Sequence, residues 1–380
     1  MKQFRSIFNS GILYAMVACL FLLKPSIVSS APPPESAKKT KPVLNLSFGL
    51  KSMYDDNILK YSDEYIRRFL NQEDNGRFRI ETYDDVVLIP EINLDATFRL
   101  IKRLNTTLNA EYRLNSFIVN HVKSRSYIAF GVRQYFTRKA SFKLSYSYIP
   151  DFYIRHFRDD DWVDAIGYTS ESFKPFSFSK NDYNFEVQHT LLKKTRLRYT
   201  LEYAQYYYNQ HFTEYDCNNI GFDINLRQSI SKRLKAEVGF TYTQSKAKGY
   251  DEPGESRLLS DDSDGSYNDN LFLIRALINM PDIGKLRNRL DVRCETGLRY
   301  FTSGKLPDQD KLHVGRTDHN LLVGGSYEID LSGSMELALF YNWVHRRSDT
   351  EIGANKSLIS MEKDYDQHQI GLSFIYKIKL

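Results

Sequence analysis

Charged side chains recur at alternate positions in many short segments of this chain, and they are the residues best placed to do chemistry. The segment RLRYTLEY, residues 196–203, shows the pattern, because Arg196, Arg198 and Glu202 alternate with apolar residues. Charges held side by side in this way need water or a partner of opposite sign. Thirteen of them form our candidate lining of a wet interior: Arg99, Glu111, Arg113, Arg133, Arg196, Arg198, Glu202, Asp223, Arg227, Glu237, Arg293, Glu295 and Arg299.

The densest acidic run, LLSDDSDGSYNDN at residues 258–270, is a candidate for metal binding. A helix-loop-helix calcium loop needs acidic or amide side chains at alternate positions, then glycine, and glutamate six residues later. Ser260 and Leu271 occupy two of the required ligand positions, so the match fails. We therefore predict no metal site and no cofactor, and we interpret the run as a solvated acidic loop.

The elements that must position these charges are β-strands. In LKAEVGFTYT, residues 234–243, apolar and polar residues alternate with the period of two that a strand with unlike faces shows. After residue 43 we find no segment with the 3.6-residue period of a helix. Fourteen strands are predicted, near residues 43–54, 86–100, 105–119, 125–137, 140–155, 180–192, 195–211, 218–230, 234–246, 268–280, 289–302, 317–329, 334–347 and 367–380.

The connections between the predicted strands fall into two classes that alternate along the chain. One class is mostly long and rich in Asp, Gly and Ser: 55–85, 120–124, 156–179, 212–217, 247–267, 303–316 and 348–366. The other class is short: 101–104, 138–139, 193–194, 231–233, 281–288 and 330–333. Transmembrane β-barrels show this asymmetry, with short turns on one side of the membrane and long loops on the other.

Tyrosine is abundant, with 27 residues against 2 tryptophans. Six tyrosines lie nine residues after a turn residue, on the apolar face of their strand: Tyr112, Tyr148, Tyr203, Tyr242, Tyr300 and Tyr341. Nine strand residues at a tilt of about 40° climb roughly 23 Å, close to the ~25 Å apolar band of a membrane barrel. We interpret the six as an aromatic girdle; the alternative is the general preference of tyrosine for strands.

The amino terminus has the features of a secretory signal. Lys2 and Arg5 precede the apolar run 11–23, and small residues follow it up to Ser30. A run of this length is too short for a transmembrane helix, which needs about 20 residues. We predict a signal peptide at residues 1–30 and a flexible periplasmic leader at residues 31–42; a short membrane anchor is the alternative. Cleavage would lower the net charge from +5 to +2, which argues against a nucleic-acid partner.

Near the carboxyl terminus, Gln369, Gly371, Phe374 and Tyr376 place a polar residue, a glycine and two aromatic residues at a characteristic spacing. This spacing resembles the assembly signal of bacterial outer-membrane proteins, although the chain continues to Leu380 where such signals usually finish on Phe or Trp. The resemblance implies recognition by the barrel-assembly machinery, contact with lipid and lipopolysaccharide, and a location in the outer membrane of a Gram-negative bacterium.

Together these features predict an all-β fold over residues 43–380. It is an antiparallel up-and-down transmembrane β-barrel of about 14 strands, within a range of 12–16, in which the last strand pairs with the first. Such a barrel leaves no unpaired strand edge in the bilayer. The pattern resembles porin-like outer-membrane barrels and does not identify an individual family.

Catalysis is not expected. Outer-membrane lipases and deacylases place a serine two residues after a histidine on a strand, with the histidine as the base. None of the eight histidines here has a serine at that position.

The sequence therefore predicts a porin-like channel for passive passage of small hydrophilic solutes. Two alternatives stay open at this point. The lumen could be closed by ion pairs or by an inward-folded loop, or the barrel could be a non-conducting structural or export-associated protein. In the second case its acidic outer loops would bind a partner or a polysaccharide, or would be bridged to lipopolysaccharide by divalent cations.

Overall fold

The structure, a computed structural model, describes residues 42–74, 76–101 and 104–379. The predicted signal peptide and residues 31–41 of the predicted leader lie outside the described residues. The strands are β1 (Val43–Asp55), β2 (Asp85–Ile101), β3 (Leu104–Phe117), β4 (Arg125–Tyr135), β5 (Ala140–Arg158), β6 (Phe173–Leu192), β7 (Thr195–Tyr208), β8 (Cys217–Ser229), β9 (Leu234–Ala247), β10 (Tyr267–Asn279), β11 (Arg287–Phe301), β12 (Arg316–Asp330), β13 (Met335–Thr350) and β14 (Tyr365–Lys379).

Three short helices accompany the strands: α1 (Asp63–Leu70), α2 (Asp160–Ile166) and α3 (Lys356–Lys363). Ser62 caps α1 with a side-chain oxygen that accepts from the backbone N–H of Tyr65, and Asp159 caps α2 in the same way through Trp162. None of the helices in the described part of the chain is long and apolar enough to cross a lipid bilayer.

The fourteen strands form a closed barrel. Each pairs antiparallel with its neighbours in sequence, and β1 pairs with β14, with Asn45 opposite Lys379 and Asp55 opposite Gln369. Closure of this kind satisfies the backbone N–H and C=O groups of every strand without leaving an edge. The predicted fold class and strand number are confirmed.

The β5–β6 hairpin is longer than predicted. We expected a connection at residues 156–179, whereas β5 continues to Arg158 and β6 begins at Phe173. Pro175 argues against a strand because it has no amide hydrogen to donate. Pairing with β5, which places His156 opposite Pro175, overrides that local preference.

The connections alternate in length as predicted. At one end, which we call the outer end, are the loops L1 (56–84), L2 (118–124), L3 (159–172), L4 (209–216), L5 (248–266), L6 (302–315) and L7 (351–364). At the other end the connections after β4, β6, β8, β10 and β12 span only 136–139, 193–194, 230–233, 280–286 and 331–334.

The wall has two unlike faces. Residues paired across neighbouring strands point to the same face, so the register defines rows around the barrel. One such row runs Tyr376, Phe48, Ile92, Tyr112, Ile128 and Tyr148. Phe48, Ile92 and Tyr112 are exposed. A continuous exposed apolar surface of this size needs a covering phase.

Gly371 closes the seam between the first and last strands. It lies opposite Phe340 of β13 and Met53 of β1. A β-carbon at this position would meet the Phe340 ring at 2.6 Å and would also press on the backbone of Ser52. The Lys51 ammonium lies 4.0 Å from the centre of the same ring. Glycine is therefore required here because an aromatic ring fills the space that a side chain would take.

Candidate pore and outer lid

All thirteen candidate lining residues lie on the face opposite to the exposed apolar rows, so their side chains point into the barrel. The register shows this in detail: Arg113 pairs with Glu91, Arg227 with Glu237 and Arg293 with Arg275, all on the inner face. That these residues line a conducting path stays a prediction.

Ion pairs connect most of these side chains to each other or to neighbours on the inner face. Arg113 lies 2.7 Å from Glu111, and Arg227 lies 2.6 Å from Glu237. Arg198 lies 3.9 Å from both Asp223 and Glu237, and Arg293 lies 3.8 Å from Glu295.

Four further residues complete pairs to members of the predicted set. Glu91 lies 3.8 Å from Arg113, Glu186 lies 2.8 Å from Arg133, Lys180 lies 3.6 Å from Glu202, and Asp269 lies 2.7 Å from Arg299. In the described ranges, Arg99 and Arg196 have no acidic side chain within 4.0 Å.

The sequence pattern missed the inward-facing charges of β10. Asp269 bonds Arg299, and Arg275 donates from Nε to Asp291 at 2.9 Å. The period of two is obscured in this strand because Leu271 and Leu273 point inward while Phe272 points outward. The pairing of β10 with β11 gives the direction of Asp269. It lies opposite Arg299, which the alternation within β11 places on the inner face.

The ion pairs run along the wall rather than across the lumen. Among the described residues, the strand-to-strand pairs join the same strand or strands at most two positions apart, as Arg133 of β4 and Glu186 of β6 do. In these pairs the arginine is usually the more exposed partner: the Arg198 side chain is 38% exposed and that of its partner Glu237 only 4%. Arginine heads thus cover the acids and face the space inside the barrel.

Several inward-facing cations have no acidic partner at all within 4.0 Å among the residues described. Lys51, Arg125, Lys143 and Arg196 belong to this group. Arg125 instead stacks at 4.4 Å over the ring of Phe152, and Lys51 over Phe340. Arg113 and Arg293, although paired, are 37% and 41% exposed. Arginine and lysine side chains therefore make up much of the charged surface that a solute inside the barrel would meet, beside exposed acids such as Glu91.

On the outer face, tyrosine hydroxyls follow a common geometry. Tyr203 donates at 2.9 Å to Asn218, and Tyr242 at 3.0 Å to Asn268. Each acceptor lies on the next strand, two residues closer to the outer end than the residue opposite the tyrosine.

Two more tyrosines of the predicted girdle share this diagonal arrangement. Tyr112 bonds Ser126 at 3.3 Å and Tyr341 bonds His368 at 2.7 Å. The rings lie among apolar residues while the hydroxyls point to a polar row nearer the loops.

The spacing rule missed one tyrosine of this group. Tyr146 donates at 2.8 Å to Asn181 with the same diagonal geometry, whereas Tyr148, which the nine-residue spacing selected, has no hydrogen bond to a described residue. Tyr300 is also without one, although it is exposed on the outer face. The spacing from the turn thus predicts how far along the barrel axis a tyrosine lies. It does not predict which tyrosine hydroxyl forms a hydrogen bond.

An apolar outer face, bordered by tyrosines whose hydroxyls point away from it, surrounds a charged interior that solvent reaches. Hydrocarbon is the phase that covers such an outer face, because a closed barrel exposes no unpaired backbone group to it. The chain is a transmembrane β-barrel. Single-chain barrels of this construction occupy bacterial outer membranes.

No protein-family model matches the chain, and no curated protein matches it. Among solved structures, it is similar to the outer membrane channel DcaP of Acinetobacter baumannii, with 11% identity, 90% of this chain and 100% of that chain covered, and a TM-score of 0.43. It is also similar to the outer membrane protein OprD from Pseudomonas aeruginosa, with 11% identity, 89% and 94% coverage, and a TM-score of 0.39. Because these scores are low, the functional argument rests on this chain alone.

Loop L1 folds over the interior at the outer end. Its residues Ile58, Leu59 and Tyr65 form one apolar cluster with the inward-facing Val87 and Phe117 of the wall. All five are buried. Packing of this kind fixes a loop more firmly than solvated loops are fixed.

L1 also extends along the mouth to β5. Arg155 of β5 donates to the backbone oxygen of Leu59 at 2.9 Å and lies 4.8 Å from the centre of the Tyr61 ring. The strand order places β5 four strands from β1 around the barrel. Loop L1 therefore covers the part of the opening that lies between β1 and β5.

L1 is fastened to L7 by a buried polar cluster, which we call the lid clamp: Tyr65, Arg77 and Glu362. Arg77 donates to the Tyr65 hydroxyl at 3.1 Å and lies 3.3 Å from the Glu362 carboxylate, to which Tyr65 also donates. Ser62, the cap of α1, donates to the backbone oxygen of Met361 in α3 at 2.5 Å. Two loops from opposite ends of the sequence are thereby joined.

Burial disfavours the charged form of Glu362, but Lys363 and Arg77 outweigh it and hold its pKa below the ordinary value. Burial lowers the pKa of Lys363 to about 7. The Lys363 ammonium lies 5.7 Å from the centre of the Phe157 ring of β5, so α3 also extends toward the far wall. Together L1 and L7 form a lid over the outer end.

Proposed function

We propose that this protein is an outer-membrane channel for passive passage of small hydrophilic solutes, acting without catalysis. The observation that carries the proposal is the wet inner wall. Arginine side chains such as Arg198 and Arg293 point inward and remain about two-fifths exposed. A packed or dry interior would bury them at a cost of several kcal/mol each, so the interior holds water along this part of the wall.

The channel prefers anions. Lys51, Arg125, Lys143 and Arg196 have no acidic partner in the described part of the wall, and the paired arginines cover their acids. Most inner acids are thus neutralised at close range, while the unpaired cations contribute a positive potential to the lumen. Anions of small size, including carboxylates and phosphates, are the solutes this surface favours.

The lid restricts the same channel. L1 and L7 cross the outer end, and the lid clamp joins them, so conduction at full bore requires the clamp to open. Loops that fold into a barrel narrow its aperture without altering the wall. We therefore propose low conductance in the intact protein and higher conductance when the clamp is weakened.

The second candidate is a non-conducting structural or export-associated barrel whose acidic outer loops bind a partner or a polysaccharide. The lid favours it, because a permanently covered mouth would not pass solutes. Under either proposal the tyrosine girdle would meet the lipid and lipopolysaccharide boundary, and Gln369, Gly371, Phe374 and Tyr376 would be read by the barrel-assembly machinery.

Liposome swelling with sugars of graded size separates the two candidates. Three proteins are compared: the wild type, Glu362→Gln, which removes the acid of the clamp, and Glu351→Gln, an exposed acid of the same loop. A channel under a lid gives slow swelling in the wild type and the control, and faster swelling in Glu362→Gln. Impermeability of all three, with the barrel folded, would rule out the channel and favour the scaffold.

Anion preference is tested in planar bilayers by the reversal potential in a potassium chloride gradient. Arg113→Gln together with Arg293→Gln is expected to move the potential toward the cation side, since each change leaves inner-wall acids uncovered. Lys232→Gln, in an exposed short turn, is the matched control and is expected to leave the potential unchanged. A wild-type potential on the cation side would refute the preference.

A further inference from the structure

Outside the lumen, three outer loops bring five carboxylates together. Asp161 comes from L3, Glu214 from L4, and Asp251, Glu255 and Asp262 come from L5; we call this group the acidic site. The acidic run in the sequence lies within L5 alone. The structure brings Asp161 and Glu214, from distant segments, into the neighbourhood of Asp251 and Asp262.

Three members have the spacing that one metal ion requires. Ligand oxygens of Asp251, Glu255 and Asp262 all lie within 4.8 Å of one another. Two oxygens that bind the same calcium ion at about 2.3–2.6 Å can lie no more than about 5 Å apart. The three carboxylates therefore fit around a single ion without a change of backbone.

The negative charge of the acidic site is not compensated by the protein. None of the ion pairs among the described residues involves any of its five carboxylates. The nearby cations are engaged elsewhere: Lys248 lies 3.5 Å from the Thr213 hydroxyl and 4.8 Å from the Tyr250 ring, and Arg257 lies 3.8 Å from Asp264. Like charges held this close need either protons or a bound cation.

Glu214 supplies an independent sign of a missing ligand. The residue is only 8% exposed, and one of its carboxylate oxygens, Oε2, is buried without a hydrogen-bond partner among the described residues. A buried polar atom left unpaired costs about 1–3 kcal/mol, and more when it is charged. Asp262 and Asp251 of L5 lie within electrostatic reach of its carboxylate. A buried oxygen of Glu255 is unpaired as well.

We propose that the acidic site binds one calcium ion at the outer end of the barrel, held by Asp251, Glu255 and Asp262 of L5 with Asp161 of L3 and Glu214 of L4 beside it. Carboxylate oxygens from irregular loops suit calcium, which accepts six to eight oxygen ligands in flexible geometry. Magnesium is disfavoured because it demands a near-ideal octahedron of short bonds. Affinity in the range of about 0.1–1 mM is typical of extracellular calcium modules.

Terbium luminescence tests the proposal directly, since Trp162 follows Asp161 in the chain and can sensitise a bound terbium ion. Protein refolded in a neutral detergent free of lipopolysaccharide is titrated with Tb³⁺ and then with Ca²⁺ or Mg²⁺. One saturable site per chain is expected, displaced by millimolar calcium and at least tenfold less well by magnesium.

The matched variants are Asp251→Asn with Asp262→Asn, which neutralises two ligands, and Glu252→Gln, an exposed acid of the same loop outside the site. Loss of the saturable signal in the double variant and its retention in Glu252→Gln supports the site. Asp161→Asn, in L3, is the second variant should the double one fail to fold. An equal signal in all variants, equal displacement by magnesium, or no saturable signal in the wild type overturns the proposal.

Discussion

The barrel wall and the lid are held together by different means. In the wall, charged residues pair with neighbours on the same or nearby strands and stay partly wet, as Arg113 and Glu111 do at 2.7 Å. In the lid, Tyr65, Arg77 and Glu362 come from loops almost 300 residues apart and are largely buried. A wet wall pair is worth little by itself, whereas a buried cluster is costly to break. The wall is therefore robust to single charge changes, and the lid is not.

The largest effect is expected at the seam of the wall. Gly371→Leu would place a side chain where the Phe340 ring and the Ser52 backbone already lie, so β1 and β14 could not pair as they do. Loss of the folded, heat-modifiable barrel on a gel is the expected outcome. Gly333→Ala, in a turn with open space around the glycine, is the control and should fold normally. Normal folding of Gly371→Leu would contradict the role assigned to this glycine.

A smaller but still large effect is expected in the lid. Glu362→Gln leaves Arg77 without its acid in a buried position, and breaking a buried pair costs about 3–5 kcal/mol. Hydrogen exchange in L1 and α3 should accelerate by two orders of magnitude or more, while exchange in the strands stays the same. Glu351→Gln should leave both unchanged. Equal acceleration in the strands would show that wall and lid are one cooperative unit.

The pH dependence of the lid should follow the pKa of Glu362, which its neighbours Lys363 and Arg77 hold below the ordinary value. An acid with a lowered pKa in the folded state contributes stability that is present above its unfolded value, about 4.3, and is lost as the pH falls through the folded value. The protection of the L1 amides, measured relative to their intrinsic exchange rate at each pH, should therefore fall in the wild type as the pH drops below the ordinary range of a glutamate. In Glu362→Gln this loss of protection should be missing, and its persistence there would assign it to another group.

The smallest effect is expected on the outer face of the wall. Tyr203→Phe removes the hydrogen bond to Asn218 and should lower the free energy of unfolding by about 0.5–1.5 kcal/mol. Tyr148→Phe is the matched control, because the Tyr148 hydroxyl bonds no described residue. Urea unfolding in lipid vesicles measures both changes. Equal losses would mean that the girdle acts through contact with headgroups rather than through bonds within the wall.

Much of the wall could be predicted because a strand with a period of two shows its two faces in the order of its residues. Arg196 and Arg198 were placed on the inner face by counting alone. Around Leu271 and Phe272 of β10 both faces are apolar, so the alternation does not distinguish the inner face from the outer one. Asp269 and Arg275 were missed for this reason. Pro175 misled in another way, because its local preference was overridden by pairing with β5.

The lid and the acidic site could not be predicted from the same patterns. Glu362 and Arg77 show no periodicity that connects them, and although an inward-folded loop was left open as an alternative, nothing in loops 55–85 and 348–366 indicated that they would pair with each other. Glu214 stands alone in a short loop, so nothing in its neighbourhood indicated that Asp251 and Asp262 would lie beside it. The lid and the acidic site depend on which loops meet above the barrel. Closure of the barrel determines which loops become neighbours.

By itself the amino-acid sequence determined the number of strands, which side chains face lipid and which face inward, and which end carries the long loops. These properties follow from local alternation, because each strand reports its own two faces. Only the tertiary structure decided that the Phe340 ring fills the space beside Gly371. It also decided that arginines cover the acids of the inner wall and that L1 and L7 close over the mouth. Such contacts join residues far apart in the chain, and their energies depend on burial, which exists only after the barrel has closed.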